Sequence, residues 1–341
     1  MVKTYKEAGV DIDAEGESIR SLVSQITFRR DGLGALRDIP GFFTGLIDFG
    51  ECYLSLCTDS VGTKMIVASS LGKWDTVGID CIAMSANDMI CVGAEPLAFV
   101  DYFAVEKYDK EVARQIGIGL NEGAKQANIS LVGGEFATLP EVVKGFDLAG
   151  TCLGFVGKDE MISGLDIAAG DSIVGLASSG IHSNGLTLAR KILSEAEVGL
   201  HERPTGLNRS VGEELLEPTR IYVRGVLGII NEFNIKGMAN ITGGGLRNLA
   251  RLKKDVRFTI TDPMEPFPIF TFLQELGGIE DEEMYQTFNM GLGFAIVCEG
   301  EVADSIARAS LAKGVQAKVI GEVDEGSGVH VPDLGLSYEK Y

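Results

Sequence analysis

TVGIDCIAMSANDMICVGAEPLAFVDYFAV, residues 76–105, is the stretch that decides the fold. Ile79, Ile82, Ala83, Ala86 and Ile90 recur at helical spacing and predict a helix from Thr76 to about Val92. PLAFVDYFAV (96–105) then reads as a strand rich in apolar and aromatic residues. Outward from this pair the alternation continues. A strand YLSLCTD (53–59) precedes it; a helix from about Lys110 to Ala127, a strand ISLVGG (129–134) and an apolar run FDLAGTCLGFVG (146–157) follow. Strand and helix taking turns predict an α/β half.

The polar, glycine-containing stretch KDEMISGLDIAAGDS (158–172) suits a linker, and we place a domain boundary near 168, giving halves 1–168 and 169–341. The second half opens with SIVGLAS (172–178) and a helix from about Gly185 to Ser194. A long helix after Pro218 and the glycine-rich ITGGGLRNLARL (241–252) come next. VRFTITD, a helix over 267–276, the strand GLGFAIVCEG, a helix over 301–313 and QAKVIGEV complete an α+β or α/β pattern. The first fifty residues are irregular, with a helix expected from Ser18 to Arg30 and DGLGALRDIPGFFTG (31–45) reading as a mobile loop.

Composition narrows the function classes. Apolar residues make up 45% and charged residues 23% of 341, which is globular rather than disordered. Glycine, at 44 residues without a collagen-like period, points to tight turns and close backbone approaches, with phosphate a good candidate for what is approached. A formal charge of −19 with no basic patch argues against nucleic acid and anionic membranes as partners. An acidic protein handling a phosphorylated substrate needs metal ions at the site of chemistry. The six cysteines form no C-x-x-C pair and read as reduced thiols. With no apolar leader and no run of 18 apolar residues, the expected compartment is the cytoplasm.

Thr58-Asp59-Ser60-Val61-Gly62-Thr63-Lys64 places a carboxylate, hydroxyls and an ammonium at one strand end, the groups that phosphate and Mg²⁺ need. A capped turn with a solvated lysine is the alternative. Asp88 sits inside an apolar helix, where a metal or a paired lysine would compensate its charge, unless it is a structural acid. Glu135 follows two glycines at the end of a strand, and Asp101 is a reserve acid on the neighbouring one. Asp59, Asp88 and Glu135 together are of the number and type that could hold Mg²⁺ beside bridging phosphates. In the second half, Ser178–Gly185 precedes a helix and offers His182, Ser183 and Asn184 to an anion, or forms an ordinary cap. Thr242, Gly243 and Gly244 could cradle a phosphate or make a plain turn.

Eight blocks in order carry a wider resemblance: YKEAGVDID (5–13), DSVGTK (59–64), DTVGIDCIAMSANDMICVGAEPLAFVDYFA (75–104), SLVGGE (130–135), SSGIHSNGLTLARKIL (178–193), EPTRIYV (217–223), ITGGG (241–245) and MYQTFNMGLG (284–293). Over nearly the full chain the sequence resembles the phosphoribosylformylglycinamidine cyclo-ligases, also called aminoimidazole ribonucleotide synthetases. The resemblance implies an N-terminal α/β domain with a mixed sheet that forms a homodimer, and a C-terminal α+β domain. It implies that ATP phosphorylates the formamide oxygen of formylglycinamidine ribonucleotide, that an amidine-side nitrogen attacks the activated carbon, and that phosphate departs. Under it Asp59, Asp88 and Glu135 would hold Mg²⁺, and Thr63 and Lys64 would contact the phosphates of ATP. Lys6 and Asp11 would close over the nucleotide, His182, Ser183 and Asn184 would bind the ribonucleotide, and Lys64, Asp59, Asp88 and His182 would carry the catalysis. HSNG (182–185) and FNMGLG (288–293) set the chain apart from thiamine-monophosphate kinases. Ser60, Phe136 and Thr138 depart from the family pattern.

Overall fold

A computed structural model describes residues 2–39, 41 and 43–340. Its first half contains α1 (Ile12–Ser24), β1 (Leu36–Arg37), β2 (Gly45–Phe49), β3 (Cys52–Ser60), α2 (Lys64–Leu71), α3 (Val77–Ile90), β4 (Glu95–Val105), α4 (Lys110–Ala127), β5 (Ser130–Thr138) and β6 (Phe146–Gly157). The six strands form one sheet in the order β1-β2-β3-β6-β4-β5, antiparallel except for the parallel β4–β5 pair. The second half contains β7 (Asp171–Ala177), α5 (Leu186–Glu195), α6 (Val211–Leu215), α7 (Val223–Ile230), β8 (Gly237–Asn240), β9 (Val256–Ile260), α8 (Pro268–Gly277), α9 (Asp281–Thr287), β10 (Leu292–Glu299), α10 (Gly300–Ala312), β11 (Ala317–Glu325), β12 (Gly328–Val331) and β13 (Leu336–Tyr338). Its seven strands run β13-β12-β9-β11-β7-β10-β8, with only β12–β9 parallel. Two domains of mixed α/β content with mixed sheets are therefore present, as expected. Among the described residues no helix is long and apolar enough to cross a membrane.

The helix α3 joins the halves. Every residue of it except Asp88 is buried, because the first sheet and α4 cover one side and the second half covers the other. The approach to α4 is close enough to require glycine: a Cβ on Gly78 would lie 2.2 Å from the Leu120 nitrogen and 2.5 Å from the Gly119 carbonyl carbon. Local signals set the edges of α4 as well. Asp109 accepts from the Glu111 and Val112 amides at its start, and Asn128 takes the left-handed conformation at φ 60° at its end.

Three sequence expectations need correction. The first helix spans Ile12–Ser24 rather than Ser18–Arg30, because Asp11 caps it, accepting from the Ala14 amide, and Asp13 and Glu15 occupy its first turn. The segment 31–45, expected to be all loop, contains β1 and the start of β2; its Pro40 and Phe42 lie outside the described residues. The long helix after Pro218 is only α7. Residues 217–222 stay irregular because their backbone groups bond to side chains of α3 and α2 instead of to one another.

Gly78→Ala is expected to cost about 2–3 kcal/mol, since the added methyl meets backbone that cannot rotate away. A lowered urea midpoint with an unchanged slope would register it. An unchanged midpoint would show that α3 and α4 can part without loss.

Candidate functional site

Asp80 of α3 is the centre of the junction. Its Oδ1 accepts from Lys64 Nζ (2.8 Å), Ser183 Oγ (3.1 Å), the Thr219 amide (2.7 Å) and Thr219 Oγ1 (2.6 Å). Both Asp80 and Lys64 have no exposed surface. Seven residues along the same helix face, Asn87 donates to the Arg220 carbonyl (2.8 Å) and accepts from the Tyr222 amide (2.9 Å). One residue further, Asp88 accepts from Asn240 Nδ2 (2.8 Å). The polar residues of an apolar helix thus hold three segments of the other domain.

This corrects the expectation for Lys64. Its ammonium bonds to Asp80 and to the Glu217 carbonyl, so it fixes α2 against the second half and is not presented to a phosphate. Burial pulls its pKa down, opposed by the Asp80 charge. Ser183 is likewise committed, to Asp80 and to Thr219 Oγ1 (3.1 Å). His182 is buried at 4% exposure in a left-handed conformation of φ 61°. Its Nε2 faces the amides of Ser179 (3.1 Å) and Arg220 (3.5 Å). Burial, with the charges of Lys64 and Arg220, pushes its pKa down to about 3, so the ring is neutral and organises the loop through that acceptor nitrogen. Gly293 makes room for it: a Cβ there would fall 1.8 Å from the Tyr222 hydroxyl and 2.9 Å from His182 Cε1.

Of the expected acids, Asp59 is near enough to Asp88 for its charge to act there. Asp59, at the end of β3, accepts from the Ser60 amide (2.7 Å), and burial raises its pKa against that bond. Asp88 is pushed up to about 7, chiefly by burial, with the Asn240 bond and the Arg251 charge opposing and the Asp59 charge adding to the rise. Cys57 Sγ stands 4.0 Å from its free oxygen. Glu135 is separate, exposed on the edge strand β5 and in register with Tyr102. Among the described residues no three His, Cys, Asp or Glu side chains converge closely enough to hold a metal, so the expected acidic triad is not assembled by the protein alone. Asp101, the reserve acid, lies against Gly134 on β5.

The two glycine-rich loops are brought together. A Cβ on Gly243 would lie 3.1 Å from Asn184 Oδ1, and Gly244 adopts φ 101° as the Thr242–Gly245 turn closes. Asn184 Nδ2 is buried with no partner. Lys6 and Asp11 pair with each other at 2.8 Å, and the exposed Lys6 is raised mainly by that bond. Their segment crosses to the second domain, where the Tyr5 amide donates to Glu283 (2.7 Å) and the Tyr5 hydroxyl lies near the Gly185 backbone at the start of α5. Thr63 reaches the same helix through Thr187 Oγ1 (3.0 Å). Asp80, Asn87, Arg220 and Tyr5 were missed in the sequence; polar residues 80, 87 and 88 at one helical spacing were the available signal.

Residues 44–156 match the model for the AIR synthase related protein N-terminal domain, and residues 168–333 that for its C-terminal domain. This chain belongs to the AIR synthase family. Relatives named phosphoribosylformylglycinamidine cyclo-ligase include one from Methanococcus maripaludis, 51% identical over 96% of this chain and 94% of its own. Those of Methanocaldococcus jannaschii (52% identity, 94% and 92% covered) and Methanosarcina barkeri (48%, 97% and 97%) agree. The resemblance read from the eight blocks is borne out, and the family name denotes a ligase of purine biosynthesis. The fold extends further. The thiamine monophosphate kinase of Aquifex aeolicus superposes with a TM-score of 0.64 at 16% identity, over 94% of this chain and 97% of its own. A hydrogenase maturation protein of E. coli gives 0.60 at 19%, over 84% and 85%.

Asp80→Asn is expected to destabilise the protein by about 3 kcal/mol or more, because the Lys64 charge loses its counter-charge inside the junction. Adding Lys64→Met should recover part of the loss in chemical denaturation. Additive effects would show that the pair is not coupled.

Proposed function

We propose that this chain is the ATP- and Mg²⁺-dependent ligase that closes formylglycinamidine ribonucleotide to aminoimidazole ribonucleotide, with ADP and phosphate as co-products. The observation that carries the reading is identity near 50% over nearly the whole chain to relatives of that name. The geometry is consistent with it. ATP supplies the leaving group: its γ-phosphoryl is transferred to the formamide oxygen, the amidine-side nitrogen forms the new C–N bond, and the C–O bond to phosphate breaks. Such chemistry depends on positioning and charge neutralisation rather than on a protein nucleophile.

Asp59 and Asp88 fit a divalent ion. They are two carboxylates, each raised by burial; the Asp59 charge adds to the rise at Asp88, and the Arg251 charge only partly opposes it. Mg²⁺ bound here would neutralise charge on the triphosphate, and it takes one or two carboxylates with phosphate oxygens rather than a full protein cage. That requirement accounts for the absence of a third converging acid, and leaves Glu135 as a candidate ligand only once nucleotide is bound. Thr63, at the start of α2, is the phosphate contact we retain from the first domain. In the second domain Asn184, Thr242, Gly243 and Gly244 face the ribonucleotide, with His182 and Ser183 holding the loop's shape. Lys64 secures the same junction through Asp80. The Lys6–Asp11 segment lies over the start of α5 and would close on the nucleotide, excluding water that could hydrolyse the activated intermediate.

The homodimer is part of this proposal, with the cytoplasm as its compartment. Leu56, Val100, Tyr102, Leu131, Phe136 and Phe155 leave large apolar side chains exposed on β3, β4, β5 and β6, and β5 is an uncovered sheet edge. Such a surface suits a second copy of the chain. Sedimentation equilibrium should return twice the chain mass, and a monomer at micromolar concentration would reject it.

The direct test is ADP release from Mg-ATP with and without formylglycinamidine ribonucleotide, following product as a diazotisable amine. Amine equimolar with substrate-dependent ADP is expected; ADP without amine would mean another acceptor. Asp88→Asn should abolish that turnover without unfolding the protein. The sign follows from its carboxyl group. A pKa raised to about 7 makes ionised Asp88 a burden on the metal-free fold, absent near pH 4 and complete above pH 7. At pH 8 the metal-free variant should therefore melt no lower than the parent, while losing the stabilisation that Mg-ATP confers. Retained turnover would remove Asp88 from the ion's ligands.

A further inference from the structure

We propose that Arg220 is the residue that receives the phosphomonoester of the ribonucleotide substrate. The inference rests on the cyclo-ligase reading above. Arg220 is half-buried, and its Nε is shielded from water with no acceptor. No carboxylate pairs with its guanidinium among the described residues, although acids outnumber bases by 49 to 30 in the chain. The acid nearest in sequence, Glu217, is engaged by Arg209, which also holds Glu214. A guanidinium nitrogen withdrawn from water without a partner is unfavourable, so an acceptor arriving with the ligand is the natural compensation.

The root of the side chain is fixed. The Arg220 amide faces His182 Nε2, its carbonyl takes the Asn87 bond, and the preceding Thr219 is tied to Asp80. The guanidinium stands beside the 178–185 loop, since its charge is felt by both His182 and Tyr222. The other partnerless groups of that loop are also donors: Ser178 Oγ, fully buried, and Asn184 Nδ2, which lies against Gly243. Asp80 reaches that loop through the Oδ1 bond from Ser183, and its buried Oδ2 takes none of these donors; the donors left over suit a phosphate dianion that needs no metal, and a guanidinium can take two of its oxygens at once. The triphosphate belongs instead with Asp59 and Asp88, where an ion can screen it.

The test compares the parent with Arg220→Gln and Arg220→Lys in steady-state kinetics, and in calorimetry with ribose 5-phosphate and with ribose as probes. Arg220→Gln should raise KM for the ribonucleotide roughly 100-fold while KM for ATP stays within about twofold, and should weaken ribose 5-phosphate comparably. Arg220→Lys should retain part of the affinity. Ribose should bind parent and variants alike, which a general collapse of the site would not allow. Equal losses for ATP and ribonucleotide, or unaltered ribose 5-phosphate binding, would overturn the assignment. Should Arg220→Gln fail to fold, the same comparison with Arg220→Lys decides. If the parent binds ribose 5-phosphate through Arg220 yet makes no amine, the phosphate site stands and the cyclo-ligase reading fails.

Discussion

One oxygen of one buried carboxylate holds the two domains in register. Asp80 Oδ1 collects an ammonium from α2, a hydroxyl from the 178–185 loop and both donors of Thr219. Apart from the direct contact of Ser183 Oγ with Thr219 Oγ1, it is this oxygen that brings the donors together, and each belongs to a segment that carries a candidate ligand contact. Lys64 follows Thr63, Ser183 lies between His182 and Asn184, and Thr219 precedes Arg220. A buried ion pair is weak evidence for stability by itself, because desolvation offsets much of the attraction. Its value here is geometric: a missing partner leaves a charge stranded, so alternative packings of the domains are strongly disfavoured.

The helix carrying Asp80 also explains why so much of the site depends on backbone. Because α3 is buried along its length except at Asp88, its polar side chains at 80, 87 and 88 need partners, and most of these come from the opposite domain. They do so by capturing the backbone of 217–222 and the side chain of Asn240. That capture keeps 217–222 out of a helix and fixes the direction in which Arg220 leaves the chain. Asp88 accepts from a neutral amide donor, and burial keeps its pKa raised although the Arg251 charge opposes the rise. A carboxyl that burdens the empty protein is expected where a cation is to arrive.

The periodic parts of this arrangement were legible in the sequence and the long-range parts were not. Helix α4 begins and ends where Asp109 and Asn128 say it should, because local bonds decide it, whereas β5 starts in its apolar run but extends to Thr138 through its pairing with β4. The helix α1 was placed too late because Asp11 read as a functional acid when it was also a cap. Lys64 and Ser183 are the more instructive cases. Their residue types suit phosphate binding, but partners far along the chain, Asp80 and Thr219, engage them first. Which of several polar groups remains free is settled by pairing across the domains, and spacing carries no record of it.

The same pairing shows how an acidic chain can prepare for anions. With acids in excess, an exposed arginine readily finds a carboxylate, as Arg209 does twice and Arg114 does with Glu111. Keeping a guanidinium unpaired therefore requires that nearby acids be engaged elsewhere and that its backbone cannot swing toward others. Arg209 engages Glu217, Lys64 and the Thr219 donors engage Asp80, and Asn87 with His182 hold the Arg220 backbone in place. The outcome is a division of tasks: carboxylates raised by burial lie at the end of β3 and on α3, and the donors of Ser178, Asn184 and Arg220 are left without acceptors in the second domain. A metal-bound triphosphate and a metal-free phosphomonoester are the pair of ligands that such a division can tell apart.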